Sequence, residues 1–193
     1  MNLRRCLPIV TIILTACVAT PPIDTAKNQQ FRLPVLAPAS LGRSLSLSQL
    51  INGDYNGQTY RLRYETEIST TRLAVAVLSP LGVTLSTIVQ ENGELAIETY
   101  VKEKVAFDPR YTLFDLYLTY WPSETLRDAL APLGMQLVDS ANGLGREVET
   151  ANGNVIAKVV YPSKNKGNSE IIIQHFDIPY RLRITPLVAR RTR

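Results

Sequence analysis

The stretch Tyr60-Arg61-Leu62-Arg63-Tyr64-Glu65-Thr66-Glu67-Ile68 decides the fold. Tyr60, Leu62, Tyr64, Thr66 and Ile68 alternate with Arg61, Arg63, Glu65 and Glu67. Successive side chains of an extended chain point to opposite faces, so one face is apolar and the other fully charged. This is the pattern of a half-buried antiparallel strand with one wet side. The same period of two runs from Ser44 onward, through Leu73–Val77, then Val83, Leu85, Thr87 and Val89, then Leu95, Ile97, Thr99 and Val101. Asn92-Gly93 between the last two runs is a hairpin signal, because both residues tolerate positive φ. Asn152-Gly153 repeats it between Arg146–Thr150 and Val155–Tyr161, and the chain closes with Glu170–His175 and Tyr180–Thr185.

Helix is expected only in the middle. Thr112 with Asp115 three residues on makes a capping-box arrangement, and Leu113, Leu116, Tyr117 and Tyr120 then share a face. Pro122 stops this helix. Ser123 caps a second, with Leu126 and Leu130 on one side and Gly134 near its end. A sheet with one apolar face must cover that face, and two short helices cannot cover eight or more strands of a flat sheet. The expected fold is therefore mainly β (α+β): a curved antiparallel sheet, or half-barrel, with short helices across its mouth. Such a shape encloses an apolar hollow of the kind that binds ligands. Leu62, Tyr64, Val75, Val77, Leu85, Leu116, Tyr117, Trp121 and Leu126 are the expected lining. A lone Trp before a proline is more often a packing anchor, and Tyr117 has the same two readings.

The N-terminus gives an address. Arg4 and Arg5 precede a short apolar stretch, Cys6–Leu14, broken only by Pro8 and Thr11. That is the composition of a secretory signal, and it is shorter than the roughly 20 apolar residues of a membrane span. Leu14-Thr15-Ala16-Cys17 resembles the lipobox of bacterial lipoproteins, which implies cleavage before Cys17 and acylation of its thiol and amino group. Val18 follows where the inner-membrane retention signal carries aspartate, which implies the outer membrane, periplasmic face. Cleavage also removes Cys6, so no free thiol remains in an oxidising compartment. Two or more acyl chains hold a protein stably at a membrane. The expected organisation is a signal peptide at 1–16, a lipidated Cys17 with a Pro-rich tether to residue 40, and one domain at 41–193.

Removal of residues 1–16 leaves 177 of 193, one domain of ordinary size. Without Arg4 and Arg5, 19 basic residues face 17 acidic ones, a net charge of +2. This is too weak to argue for nucleic acid. Arg190, Arg191 and Arg193 either touch anionic headgroups or are simply solvated.

Together these features resemble the DUF3261 family of bacterial lipoproteins. The residues that carry the resemblance are Tyr120-Trp121-Pro122 before a Leu- and Ala-rich helix, and the late Tyr180-Arg181-Leu182, over roughly residues 40–188. The resemblance implies a fold like the lipoprotein carriers LolA and LolB. It also implies a cargo of lipoprotein acyl chains or an aryl-polyene or fatty-acyl lipid, and a periplasmic carrier as a possible donor. Residues 72–82 further resemble the LolB strand that leads into an Asn-Pro-Leu-Gly turn. There Pro80, Leu81 and Gly82 would form a membrane-insertion loop, with Ser79 in place of the asparagine. An exposed leucine gains about 1.5–3 kcal/mol on dipping into acyl chains. The alternative is that Leu81 folds back onto the sheet edge.

Catalytic chemistry is not signalled. His175 is the single histidine and lacks a cysteine partner, so no metal site and no cofactor are expected, and a structural or surface role is. No nucleophile elbow or phosphate loop occurs, and Gly143-Leu144-Gly145 precedes a strand. Asp108 and Asp115 read as turn and cap residues. The expectation is a non-enzymatic, monomeric lipid carrier or acceptor. A structural or assembly lipoprotein with a protein partner is the alternative, and a buried polar cluster around His175 would point to an enzyme.

Overall fold

A computed structural model describes residues 33–101, 109–163 and 169–190. The signal segment, Cys17, Asp108, Arg191 and Arg193 lie outside the described residues. The strands are β1 (Leu45–Tyr55), β2 (Gln58–Ile68), β3 (Arg72–Leu78), β4 (Thr84–Glu91), β5 (Glu94–Thr99), β6 (Met135–Asp139), β7 (Gly145–Thr150), β8 (Val155–Val160), β9 (Ile171–His175) and β10 (Tyr180–Arg190). Two helices, α1 (Pro109–Tyr120) and α2 (Ser123–Leu130), separate β5 from β6. All ten strands form one antiparallel sheet in the order β5-β4-β3-β2-β1-β10-β9-β8-β7-β6. It curls without closing, as the half-barrel reading requires. The first five strands meander outward to one edge and the last five return from the other. The helices carry the chain from edge to edge, which lays α1 across the concave face.

The alternation of β2 holds. Tyr64, Thr66 and Ile68 are buried while Arg61, Arg63 and Glu67 are exposed. Asn92-Gly93 turns β4 into β5 with both residues at positive φ, 53° and 81°, a conformation matched to hairpin twist. Asn56-Gly57 does the same between β1 and β2.

Four expectations need correction. In β4 the inward residues are Ser86, Ile88 and Gln90, not Val83, Leu85, Thr87 and Val89. A register break at Val77/Leu78 sets Thr84 opposite Leu78 and reverses the phase after the turn. Helix α1 begins at Pro109, where a missing N–H is no loss, so Thr112 and Asp115 are helix-interior residues rather than caps. Ser123 is the first residue of α2 rather than its cap, and its hydroxyl donates to Asp139 Oδ1 at 3.1 Å. Finally, the folded part begins before residue 41. Leu36 and Pro38 are buried, Pro38–Leu41 is a 3-10 turn ended by Gly42 at φ 74°, and Trp121 Nε1 donates to Ser40 Oγ at 2.9 Å. The apolar anchors Leu36 and Leu41 bind this Pro-rich segment to the domain.

Candidate functional site

Helix α1 is buried along its whole length from Tyr111 to Tyr120. A helix covered on every side belongs to a core, yet this one is gripped largely by polar groups. Gln49 of β1 donates to Tyr120 Oη at 2.7 Å. Tyr64 of β2 lies 3.4 Å from Thr112 Oγ1, and Tyr117 donates to Gln90 of β4 at 3.4 Å. Tyr161, just after β8, donates to the carbonyls of Leu118 and Thr119. Arg146 of β7 donates through Nη1 to the carbonyls of Leu118 and Trp121, each at 3.0 Å. A guanidinium there satisfies the orphan carbonyls at the C-terminal end of α1 and opposes the helix dipole. Arg146 Nε has Asp139 Oδ1 at 3.5 Å, an ion-pair distance but no hydrogen bond.

The most charged part of this clasp centres on Asp115. Its Oδ1 is 2.8 Å from His175 Nε2 of β9, and its Oδ2 accepts the Tyr180 hydroxyl of β10 at 2.9 Å. His175 Nδ1 faces Asp177 Oδ1 at 3.7 Å. Tyr180 stacks on the imidazole with centroids 4.3 Å apart, and Tyr111 and Phe114 meet it edge-on. Burial pulls the imidazole's pKa down, but the charges and hydrogen bonds of Asp115 and Asp177 prevail and lift it from 6.5 to about 9. Burial followed by the Asp115 charge drives Tyr180 well above the usual phenol range. Tyr117 and Tyr161 are pushed up to about 12, mainly by burial. His175 is buried rather than on the surface, and the groups around it form a buried polar cluster of the kind that would point to an enzyme.

The concave face is filled rather than hollow among the described residues. A void of about 20 Å³ lies between α1 and β1–β3 with β10, with Tyr64, Val75 and Leu116 in its wall. A second of about 10 Å³ has Leu62 in its wall. Either is room for one water at most, against roughly 300–1,000 Å³ for a ligand site. Val77, Tyr117, Trp121 and Leu126 are buried in packing away from these voids. Trp121 is therefore a packing anchor, edge-on to Tyr117 at 4.7 Å. Leu85 is on the outer face, because of the phase reversal in β4. A larger, open groove of about 320 Å³ lies between the β1–β2 and β9–β10 turns, beside His175, Phe176 and Arg181.

The loop after β3 is a tight turn. Gly82 N donates to Ser79 O at 2.9 Å, Ser79 N to Val83 O at 2.8 Å, and Val83 N to Ser79 Oγ at 3.2 Å. Pro80 takes the second position and Gly82, at φ 83°, the fourth, where a left-handed residue lets the strand resume. Leu81 is left 92% exposed and Val83 60%, so Leu81 does not fold back on the sheet.

Arg146, Gln49 and Gln90 carry no motif and were missed by sequence reasoning. Asp115 did carry a signal, as the single acidic residue of a helix rich in apolar and aromatic residues. Among the described residues there is no group of three or more His, Cys, Asp or Glu poised for a metal, and no helix long and apolar enough to cross a membrane.

No curated protein matches the chain. Among the solved structures similar to it are the following two. One is a DUF1329 family protein from Desulfovibrio piger, with a TM-score of 0.43 at 9% identity over 83% of this chain and 94% of that one. The other is a putative outer membrane lipoprotein-sorting protein domain from Vibrio parahaemolyticus, with a TM-score of 0.42 at 8% identity over 77% of this chain and 85% of that one. A family model described as a protein of unknown function, DUF3261, matches residues 46–188, and the chain belongs to that family.

Proposed function

We propose that this chain is a non-enzymatic envelope lipoprotein, monomeric and held by acylated Cys17 at the periplasmic face of the outer membrane. Its task is to accept a lipid-like cargo, either lipoprotein acyl chains or a fatty-acyl or aryl-polyene lipid, and pass it to the membrane. A periplasmic carrier is the natural donor. The observation that carries this reading is Leu81, 92% exposed on a hydrogen-bonded turn. A leucine with no core to join gains about 1.5–3 kcal/mol by entering acyl chains. The turn holds it out at no cost to the sheet.

Among the described residues, the voids beside α1 leave no room for cargo while the helix is seated. On this reading α1 is a removable filler, about 18 Å long from its 12 residues, and an acyl chain takes its place. Its hydroxyl, amide, guanidinium and imidazole partners then exchange helix contacts for water. Both ring nitrogens of His175 already face carboxylates, so the cluster reads as a clasp on α1 rather than a catalytic base.

The filled interior favours a second reading, a structural or assembly lipoprotein with a protein partner. Hydrogen exchange on the full chain, with and without a fluorescent fatty acid or diacyl lipid, separates the two. A carrier retains the lipid, loses amide protection across Leu113–Tyr120, and reports the change through Trp121, its single tryptophan. Full protection of α1 with no lipid retained rejects the carrier and leaves the scaffold.

A further inference from the structure

We propose that the outer face of β2, β1 and β10, at the end bearing Leu81, is a docking surface for anionic phospholipid headgroups. This deepens the membrane-delivery reading and rests on it. The strand registers bring the β1–β2, β3–β4 and β9–β10 turns to one end of the sheet. Seven large apolar side chains are exposed among the described residues, and four of them, Leu81, Val83, Tyr100 and Phe176, belong to this end. Tyr100 is placed there by its N–H, which donates to Leu85 O just after the β3–β4 turn. Leu81 and Val83 share the β3–β4 loop, Phe176 stands on the β9–β10 turn and Tyr100 follows the end of β5, a spread-out set that suits insertion between lipids better than a protein interface.

Cations stand behind the tips. Inward-facing Tyr64, Leu182 and Ile184 oblige Arg61, Arg63, Arg181 and Arg183 to point outward, and all four are exposed. Arg61 and Arg183 flank Asn52 on either side, so their strands are about 10 Å apart. Arg63 pairs with Leu78, at the foot of the Leu81 turn. Arg181 follows directly on the turn that carries Phe176. The acidic residues of β2, Glu65 and Glu67, fall farther toward the opposite end. Arg63 is paired with Glu65, and Arg183 has Glu170 at 3.7 Å. No described carboxylate lies within ion-pair distance of Arg61 or Arg181. Asp54, opposite Arg181, instead accepts the Thr59 hydroxyl at 2.8 Å. Arginines beside apolar wedges match a phosphate layer over acyl chains, and guanidinium suits phosphate recognition.

The test uses the full chain on vesicles of phosphatidylcholine alone and with phosphatidylglycerol. Phe176→Trp supplies a reporter at the rim, and quenching by brominated acyl chains reads its insertion. The native chain, measured in parallel, supplies the Trp121 signal to be subtracted, and that residue is 1% exposed. The expected docking constant is at least about 25-fold higher on anionic vesicles, and Arg61→Gln with Arg181→Gln lowers it by about that factor there. Added salt should erode the same preference. Equal quenching on the two vesicle types, or indifference to the double variant with an unchanged circular dichroism spectrum, overturns the inference. Quenching that ignores headgroup charge yet is lost with Leu81→Glu overturns it and leaves the delivery reading standing. Absence of quenching on both vesicle types sinks both.

Discussion

Asp115→Asn tests the clasp most directly. In the native protein His175 is 2% exposed, with Asp115 Oδ1 at 2.8 Å and its pKa raised from 6.5 to about 9. A raised folded-state pKa contributes stability that is fully present below pH 6.5 and lost as pH rises through about 9. Between those limits the folded protein holds one proton more than the unfolded chain, so unfolding free energy falls by about 1.4 kcal/mol per pH unit from this group. Across the window that comes to roughly 3 kcal/mol, of the order expected when a buried pair loses one partner. Asparagine keeps the shape and can still accept the Tyr180 hydroxyl, but it cannot hold a charged imidazole. Asp177, at 3.7 Å and about a quarter exposed, retains only part of the effect. Urea unfolding at pH 6.5, 7.5, 8.5 and 9.5 should show a falling midpoint in the native chain. In Asp115→Asn the protein should be less stable by about 2–4 kcal/mol at pH 6.5, with a much flatter pH profile. Parallel profiles for the two proteins would refute the argument, because then the imidazole carries no extra proton in the folded state.

Three further outcomes follow from the packing. Arg146→Met removes the donors to the Leu118 and Trp121 carbonyls and should cost about 3 kcal/mol in urea unfolding, although its side-chain volume is kept. Phe114→Ala, at 0% exposure in the middle of α1, should cost about 3–5 kcal/mol and expose the inner sheet to a hydrophobic dye. Leu81→Ser should leave the unfolding free energy within about 0.5 kcal/mol of the native value while abolishing cargo delivery to vesicles.

How much of this was legible in the sequence depended on where charge stood. Arg61, Arg63, Glu65 and Glu67 mark one face of β2 as wet, so its partner face could be read as buried. In β4 no charge marks either face before Glu91, and the inward residues Ser86 and Gln90 are more polar than the outward Leu85 and Val89. The polar choice is explained by tertiary structure, since Gln90 answers the Tyr117 hydroxyl, 27 residues away. Local pattern reading cannot see such a partner. The same holds for Asp115, whose histidine is 60 residues away and whose spacing from Thr112 imitates a cap. The Leu81 turn was visible as Ser-Pro-Leu-Gly, but only the hydrogen-bonded geometry decides between a protruding and a folded-back leucine. That the concave face is filled among the described residues was not legible at all. Whether helices bridge a mouth or sink to its floor is set by the length of the side chains that meet, here Tyr64, Gln90, Tyr117, Tyr161 and Arg146.

The composition of the clasp bears on how a carrier of this kind would choose its cargo. An apolar seat for α1 would hold the helix by burial alone, and any greasy molecule would compete on equal terms. Here α1 is held by both. Phe114, Leu118 and Leu113 bury apolar area, and at least seven side-chain hydrogen bonds from six strands and Tyr161 add directionality. Each such bond is worth about 0.5–1.5 kcal/mol net, because water replaces it when the helix leaves. A ligand that needs the open form binds with its intrinsic affinity reduced by the fraction open. If the clasp holds that fraction near one in a thousand, about 4 kcal/mol, a single short chain gains too little to open it. A multi-acyl or long conjugated lipid, at about 0.8 kcal/mol per buried methylene, gains enough. On the proposed carrier reading, the polar grip on α1 sets a threshold of apolar area. Loosening it by Asp115→Asn should let shorter fatty acids bind, which makes chain-length dependence of uptake the measurement that separates a closed carrier from a filled scaffold.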